Sequence, residues 1–319
     1  MDEPRAPAAE EGEGWAVPGA AAGERVVDVC RDHLGGVARR AIGPLIAAGD
    51  VTVDGRPSRI ADPVAAGQVL RVTPGTMARL AGDGLVTPPS ERALTVVHAD
   101  DDLLVVDKPA GLHVHPMGAH RGDTLLGRVL WHVGARPDQP WTTCRPSLAH
   151  RLDRPTSGLV AGALDVGIRD RLQTLLEQRR VVRTYRAVVH GLVAEDEGVV
   201  DVPLGRDPDD RRRRAVVEVG HGGQAARSRW RVLDRDPAAG TTALELHLDT
   251  GRTHQLRVHL APLGHPLVGD VAYGAPATGP PADPRVGSAI SLRAVALRLP
   301  HPRTGAVLEV IAPRAAPTS

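Results

Sequence analysis

Phenylalanine is absent from the 319 residues, and only two tyrosines and four tryptophans are present. A surface that holds nucleic-acid bases by aromatic stacking is therefore poorly supplied, and such contacts would rest mainly on arginine. Lysine is nearly missing as well: Lys108 stands alone among 39 basic residues. That bias fits a GC-rich genome, so the arginines by themselves point to no partner. The two cysteines, Cys30 and Cys144, make no disulfide framework and have no metal-ligand spacing. A reducing cytoplasm is the expected location. No apolar run reaches the roughly 18 residues of a membrane span. The first residues lack the basic start and apolar core of a signal peptide.

What is present describes a soluble globular protein, 24% charged and 42% hydrophobic, and the length suggests about two domains. The net charge of +1 conceals an asymmetry. Six acids against Arg5 give residues 1–24 a charge of −5, which leaves +6 for the rest. Residues 1–24 are rich in Ala, Gly, Glu and Pro and are expected to be a disordered acidic tail. Residues 37–49 read as a basic amphipathic helix with Arg39 and Arg40 on it, Pro44 as an irregularity and Gly49 as its C-cap. An alternating strand over 50–56 enters an Asp54-Gly55 turn, and a further strand covers 68–72. Residues 74–92, rich in Gly, Pro, Thr and Ser, read as a linker.

The larger domain begins near residue 93 with two strands, 94–98 and 103–106, around an acidic turn. Asp107-Lys108-Pro109-Ala110-Gly111-Leu112-His113-Val114-His115 follows as a loop. His113 and His115 could ligate a metal, but no third ligand stands at a matching spacing, and no metal is expected. The rest of the chain is organised around His150-Arg151-Leu152-Asp153-Arg154-Pro155-Thr156-Ser157-Gly158-Leu159, which runs into a buried apolar strand. A carboxylate set between arginines stays ionised, which suits nucleophilic attack or stabilisation of a cationic sugar and disqualifies a general acid. Ile168, Leu172, Leu175 and Leu176 give the apolar face of a helix. Residues 181–189 then form a strand with Tyr185, Ala187 and Val189 on one face. Arg211 to Arg214 make a basic loop beside a strand, plausible against phosphates. A half-buried strand over 244–248 leads into Thr250-Gly251-Arg252-Thr253-His254-Gln255-Leu256-Arg257-Val258-His259.

Three of these segments together resemble the RluA-type RNA pseudouridine synthases. They are the His150–Leu159 stretch, the Arg183-x-Tyr185-x-Ala187 strand and the Gly251–His259 segment with its continuation to Asp270, Tyr273 and Gly274. The resemblance spans about 94–313. It departs at Pro155, where an acidic or polar residue is usual, and at Arg293, where histidine is common. The helix–strand–turn–strand order before it is similar to the S-four-type RNA-binding domain. The resemblance implies an α+β fold with a mixed, largely antiparallel central sheet, flanking helices and a small N-terminal α/β RNA-binding domain. The expected domains are 25–73 for RNA binding, 93–313 for catalysis, and a C-terminal tail over 314–319.

The activity implied is isomerisation of uridine to pseudouridine in RNA without metal or organic cofactor. Asp153 is then the essential carboxylate, Arg257 its ion-pair partner, and Tyr185 the group packed on uracil. Arg151 fills the gap left by a flipped nucleotide. Arg39, Arg40, Arg154, Arg211, Arg212, Arg252 and His254 are expected RNA contacts. Large-subunit rRNA is the implied substrate, with tRNA the alternative; the implied molecule is a monomer with no obligate protein partner and no membrane. Attack on the sugar, addition to the base and removal of a ribose proton all stay open for Asp153. A non-catalytic ribosome-associated RNA-binding protein would need no acid between arginines. A glycosidase would need a second carboxylate, and a His-metal hydrolase a third ligand.

Overall fold

A computed structural model describes residues 14–33, 39–73, 76, 87, 90–116, 122–134, 146–276 and 290–313. The chain divides into two compact units, Met1–Arg92 with His115–Pro146, and Ala93–Val114 with Ser147–Ser319. The second differs from the single block expected over 93–313, because residues 115–146 group with the N-terminal residues.

The first unit holds β1 (Gly14–Ala16), α1 (Val26–His33), α2 (Arg39–Ala47), β2 (Val51–Val53), β3 (Arg56–Pro57), β4 (Val69–Val72) and α3 (Leu125–His132). Its sheet runs β1-β4-β2-β3. The Asp54-Gly55 turn forms as read from sequence, with positive φ at both residues, and Asp54 Oδ1 accepts the amide of Val69 at 2.8 Å. Helix α2 continues through Pro44 and packs Ile42, Leu45 and Ile46 against Val26, Cys30, Val51 and Leu70. Residues 14–24, expected to be part of a disordered tail, are ordered from Gly14 onward. Trp15 pairs opposite Leu70, and Val17 enters the core, which composition alone did not reveal. Of the expected linker, Thr76 and Thr87 are buried, and Ser90 bonds both Asp123 and the carbonyl of Gly127. Those contacts are not the behaviour of a bare spacer. The C-terminal tail, residues 1–13 and most of 74–89 lie outside the described residues.

The second unit is one ten-stranded sheet. Its elements are β5 (Thr95–Ala99), β6 (Leu103–Lys108), β7 (Ser147–Leu148), β8 (Ser157–Ala163), α4 (Val166–Glu177), β9 (Val182–His190), β10 (Glu197–Asp201), β13 (Arg227–Asp236), β14 (Thr241–Leu248), α5 (Gln255–Leu260), β15 (Leu292–Pro300) and β16 (Val307–Ile311). A short hairpin, β11 (Leu204–Arg206) with β12 (Arg214–Val216), stands beside it. The sheet order is β10-β13-β14-β9-β15-β8-β6-β5, with β16 on β15 and β7 on β8. Only β15–β8 is parallel, so the sheet is mixed and largely antiparallel, as expected. Helix α4 starts at Asp165, whose carboxylate accepts the amide of Ile168 at 3.0 Å. Its Ile168, Leu172 and Leu175 pack on Leu103, Val105, Leu159, Ala161 and Leu297.

Gly158 shows why the central motif carries a glycine. Its φ is +113°, and a Cβ built there would lie 2.1 Å from the carbonyl oxygen of Ala294. The parallel crossing of β8 and β15 thus needs a residue without a side chain, immediately beyond the Asp153 loop.

Candidate active site

Asp153 sits on the loop that enters β8, Tyr185 in the middle of β9, and Arg257 on α5 just after β14. All three line one cleft on the central strands of the second unit. The other walls are His150, Arg151, Thr156, Arg183, Thr250 to Gln255 and Leu292. Convergence from three separated segments is what the motifs implied.

The loop carrying Asp153 is held from below by the chain's only lysine. Lys108 is fully buried, and its Nζ donates to the carbonyls of Pro109 at 2.9 Å, Leu112 at 2.9 Å and Arg154 at 3.2 Å. Three acceptors use all three hydrogens of an ammonium. Burial pushes Lys108 down to about 7 from the ordinary lysine range, while Asp153 and Asp107 draw it back up. The amide of Gly111 and the Nε of Arg154 complete the clamp by bonding each other's loops.

Arg257 is within ion-pair reach of Asp153, as expected, and has a second partner that the motifs did not indicate. Its Nη1 lies 3.9 Å from Asp153 Oδ2, at the edge of ion-pair range. Its hydrogen bonds go instead to Asp270, with Nε to Oδ2 at 2.7 Å and Nη2 to Oδ1 at 2.7 Å. The physical reason is burial: Asp270 is 1% exposed and Asp153 15%. A carboxylate shut away from water must take a bidentate cation, whereas one facing the cleft keeps part of its hydration. Burial disfavours the charge of Arg257, but the hydrogen bonds and charge of Asp270, helped by Asp153, raise its pKa. The guanidinium is thus fixed in orientation by Asp270 and presents its third nitrogen to Asp153.

The turn that supplies Asp270 also supplies Tyr273. Its ring lies 4.7 Å from the Arg257 guanidinium carbon and 5.1 Å from that of Arg213. Its hydroxyl accepts the amide of Arg214 at 2.9 Å and meets His254 Nδ1 at 2.6 Å. His254 adopts φ 59°, uncommon for a residue with a side chain, and burial lowers its pKa, so its Nδ1 can accept from Tyr273. Gln255 secures the preceding turn by accepting from Thr250 Oγ1 and the Arg252 amide while donating to Arg227 and Ser228.

Tyr185 is 4% exposed, and burial raises its pKa despite the opposing charge of Arg183. Arg151 is exposed on the cleft wall. Arg154 and Arg252 are exposed but tied to the carbonyls of Gly111 and Ala225. Arg211 and Arg212 are exposed on the β11–β12 loop, where Asp210 holds Arg212 in two hydrogen bonds. His254, expected to contact RNA, lines the cleft and is half-buried against Tyr273. In the first unit α2 begins at Arg39, and Arg40 is exposed on it. Arg293, where the motif departs from histidine, forms a buried ion pair with Asp107 at 2.6 Å and donates to the Pro313 carbonyl. Asp100, Asp102 and His301 also approach one another, but Arg303 is bonded to Asp102 and His98 to Asp100, so the acids there are already balanced.

Asp270, Tyr273 and Lys108 are the residues that motif reading quoted without assigning a role. Asp270 and Tyr273 carried a signal only as members of a matched segment, and Lys108 only as the single lysine of the sequence.

The family model for RNA pseudouridylate synthase matches residues 102–262. The chain is 37% identical to a protein named ribosomal large subunit pseudouridine synthase D from Neisseria meningitidis serogroup A, over 94% of this chain and 78% of that protein. A protein of the same name from Pseudomonas aeruginosa is 36% identical over 91% of this chain and 88% of its own. Among solved structures, human RNA pseudouridylate synthase domain containing 1 superposes with a TM-score of 0.55 at 26% identity, covering 71% of this chain and 85% of that one. With that fold and these three motifs in one cleft, the chain belongs to the RNA pseudouridine synthase family, isomerases that act on uridine in RNA.

Proposed function

We propose that Asp153 is the essential carboxylate of this isomerisation and that the substrate is large-subunit ribosomal RNA. The observation that carries the chemistry is the arrangement around Asp153. Its carboxylate faces the cleft beside buried Tyr185, and the nearby guanidinium is locked by a second acid. Breaking the bond between uracil and ribose builds positive charge on the sugar, and an ionised carboxylate stabilises or captures it. Arg257 stays positive next to Asp153 without sealing it in a bidentate pair. Tyr185 offers a flat buried face for the uracil ring, and exposed Arg151 fills the space that a flipped nucleotide leaves.

The relatives named for large-subunit synthases support ribosomal RNA as the target. The order of elements over 39–72 supports the S-four-type reading of the N-terminal module, with Arg39 and Arg40 against phosphates. On the second unit, exposed Arg154, Arg211, Arg212 and Arg252 and half-buried His254 are further RNA contacts, in a cytoplasmic monomer that needs no metal. Asp153→Asn removes the charge and keeps the shape, so it should abolish turnover while RNA binding and unfolding temperature stay near wild type. Near-normal pseudouridine formation by this variant would sink the assignment, as would loss of activity on chelation. Sequencing pseudouridines in cells with and without the gene identifies the RNA, and a missing site in transfer RNA alone would overturn the ribosomal reading.

A further inference from the structure

Buried polar atoms almost always have partners, so those without one call for an account. Six side-chain atoms among the described residues are buried and unpartnered, and three of them, on His150, Thr156 and Arg183, belong to residues of the cleft.

The hydrogen on His150 can be placed. Its Nε2 accepts the backbone amide of Ala161 at 3.1 Å, so that nitrogen carries no hydrogen. Burial and the charge of Arg183 push the imidazole down to about 3, which keeps it neutral. The single ring hydrogen therefore sits on Nδ1, which has no acceptor. Arg183 always bears a hydrogen on Nε, and that atom too is buried and unpartnered, although its Nη2 reaches the carbonyl of Thr250 at 3.5 Å. Space beside the guanidinium is kept by Gly251, where an added Cβ would come within 3.0 Å of Arg183 Nη1. The cleft lining thus offers two donors with no acceptor for either among the described residues.

A ligand that completes this lining must bring an acceptor, and its entry must move aside the side chains that shield these atoms from water. Phosphates meet the exposed arginines at the rim more readily than this recess. Uracil differs from cytosine in carrying a carbonyl oxygen at position 4 where cytosine has an amino group; both have one at position 2. We infer that His150 Nδ1–H and Arg183 Nε–H receive the position-4 carbonyl oxygen of the flipped uracil and so make these two residues determinants of base choice. An amino group at the same place would set N–H against N–H in a site of low dielectric, where mismatched donors are most costly. The inference rests on the reading of this cleft as the uridine site.

The test uses a short RNA spanning the uridine that the full-length protein converts, in three versions at that position: uridine, the 4-deoxy analogue 2-pyrimidinone riboside, and 2-thiouridine. Binding is measured in the Asp153→Asn background, so that no uridine is consumed. The protein without further change should prefer uridine over the 4-deoxy analogue by about tenfold, with 2-thiouridine as the control for the oxygen that cytosine shares. His150→Leu also removes the acceptor of Ala161, so Arg183→Met, which leaves that cap in place, is measured beside it. Either variant should bring the 4-deoxy ratio towards one; a change confined to the 2-thiouridine ratio would place the contact on the oxygen that cytosine shares and overturn the inference. A purely structural role would weaken all three RNAs alike and leave the ratios unchanged. Unchanged ratios in both variants, or no preference before mutation, overturn the inference. Failure of the underlying reading looks different, since Asp153→Asn would then still convert the uridine version.

Discussion

Removing the carboxylate of Asp270 tests whether Arg257 is held by its buried partner or by Asp153. Asp270 is 1% exposed and makes both short bonds to Arg257, while Asp153 stands at 3.9 Å. Breaking a buried pair by deleting one member typically costs about 3–5 kcal/mol, because a charge is left without compensation. Asp270→Ala should therefore lower the unfolding midpoint by about 10 °C, using the entropy of unfolding expected for a unit of this size. Asp270→Asn keeps one acceptor and should lose about 1.5–3 kcal/mol, the range for hydrogen bonds to charged groups. In both variants Arg257 is free to turn onto Asp153. Turnover under saturating RNA should fall more than affinity, since the carboxylate becomes masked while the RNA-facing arginines are untouched. The double substitution Asp270→Leu with Arg257→Met separates the two effects. It removes both charges, so calorimetry should show most of the stability restored while activity stays lost. Wild-type stability and turnover in Asp270→Asn would refute the reasoning outright, and so would a double variant no more stable than the singles.

Other outcomes follow from the same geometry. Gly158→Ala places a methyl group 2.1 Å from the Ala294 carbonyl at a positive φ, and should leave little soluble folded protein by circular dichroism. Tyr273→Phe deletes the hydroxyl that bonds the Arg214 amide and His254, and should cost about 1–3 kcal/mol in urea unfolding and speed proteolysis of the 207–214 loop. Lys108 in the folded chain releases its proton near 7, whereas an unfolded lysine holds it to 10.5. Between those values the unfolded state binds more protons, so stability relative to Lys108→Met should rise with pH; a flat difference would show that Lys108 keeps an ordinary pKa. Arg40→Ala should lower the slope of log affinity against log salt by about one, as for a lost phosphate contact.

Local patterns announced much of this molecule and tertiary pairings did not. The alternation and turn chemistry at Asp54-Gly55 were enough to place a hairpin, and the spacing of Ile168, Leu172 and Leu175 to place α4 and its buried face. The motif residues Asp153, Tyr185 and Arg257 do meet in one cleft. The partner of Arg257 could not be read the same way. Asp270 lies 13 residues further on, beyond the helix, and no periodicity links it to the arginine. Gly14 to Val17 looked like tail because their composition is that of disorder, yet three strand pairings to β4 and one buried valine hold them. Arg293 looked like a departure from pattern until the sheet placed Asp107 beside it, 186 residues away in sequence.

The position of β15 in the sheet has a consequence for synthesis. Strands β5, β6, β7 and β8, with Asp153, form one half of the sheet, and β9, β14, β13 and β10, with Tyr185, form the other. Among the described residues no ladder joins these halves except through 292–300, which pair with Ser157 and Gly158 on one side and with β9 on the other. A ribosome making the chain from its N-terminus therefore releases Asp153, Tyr185 and Arg257 well before the strand that fixes their spacing. Until that segment emerges, the nascent protein carries all three of these residues but lacks the strand that sets the two halves of the cleft against each other.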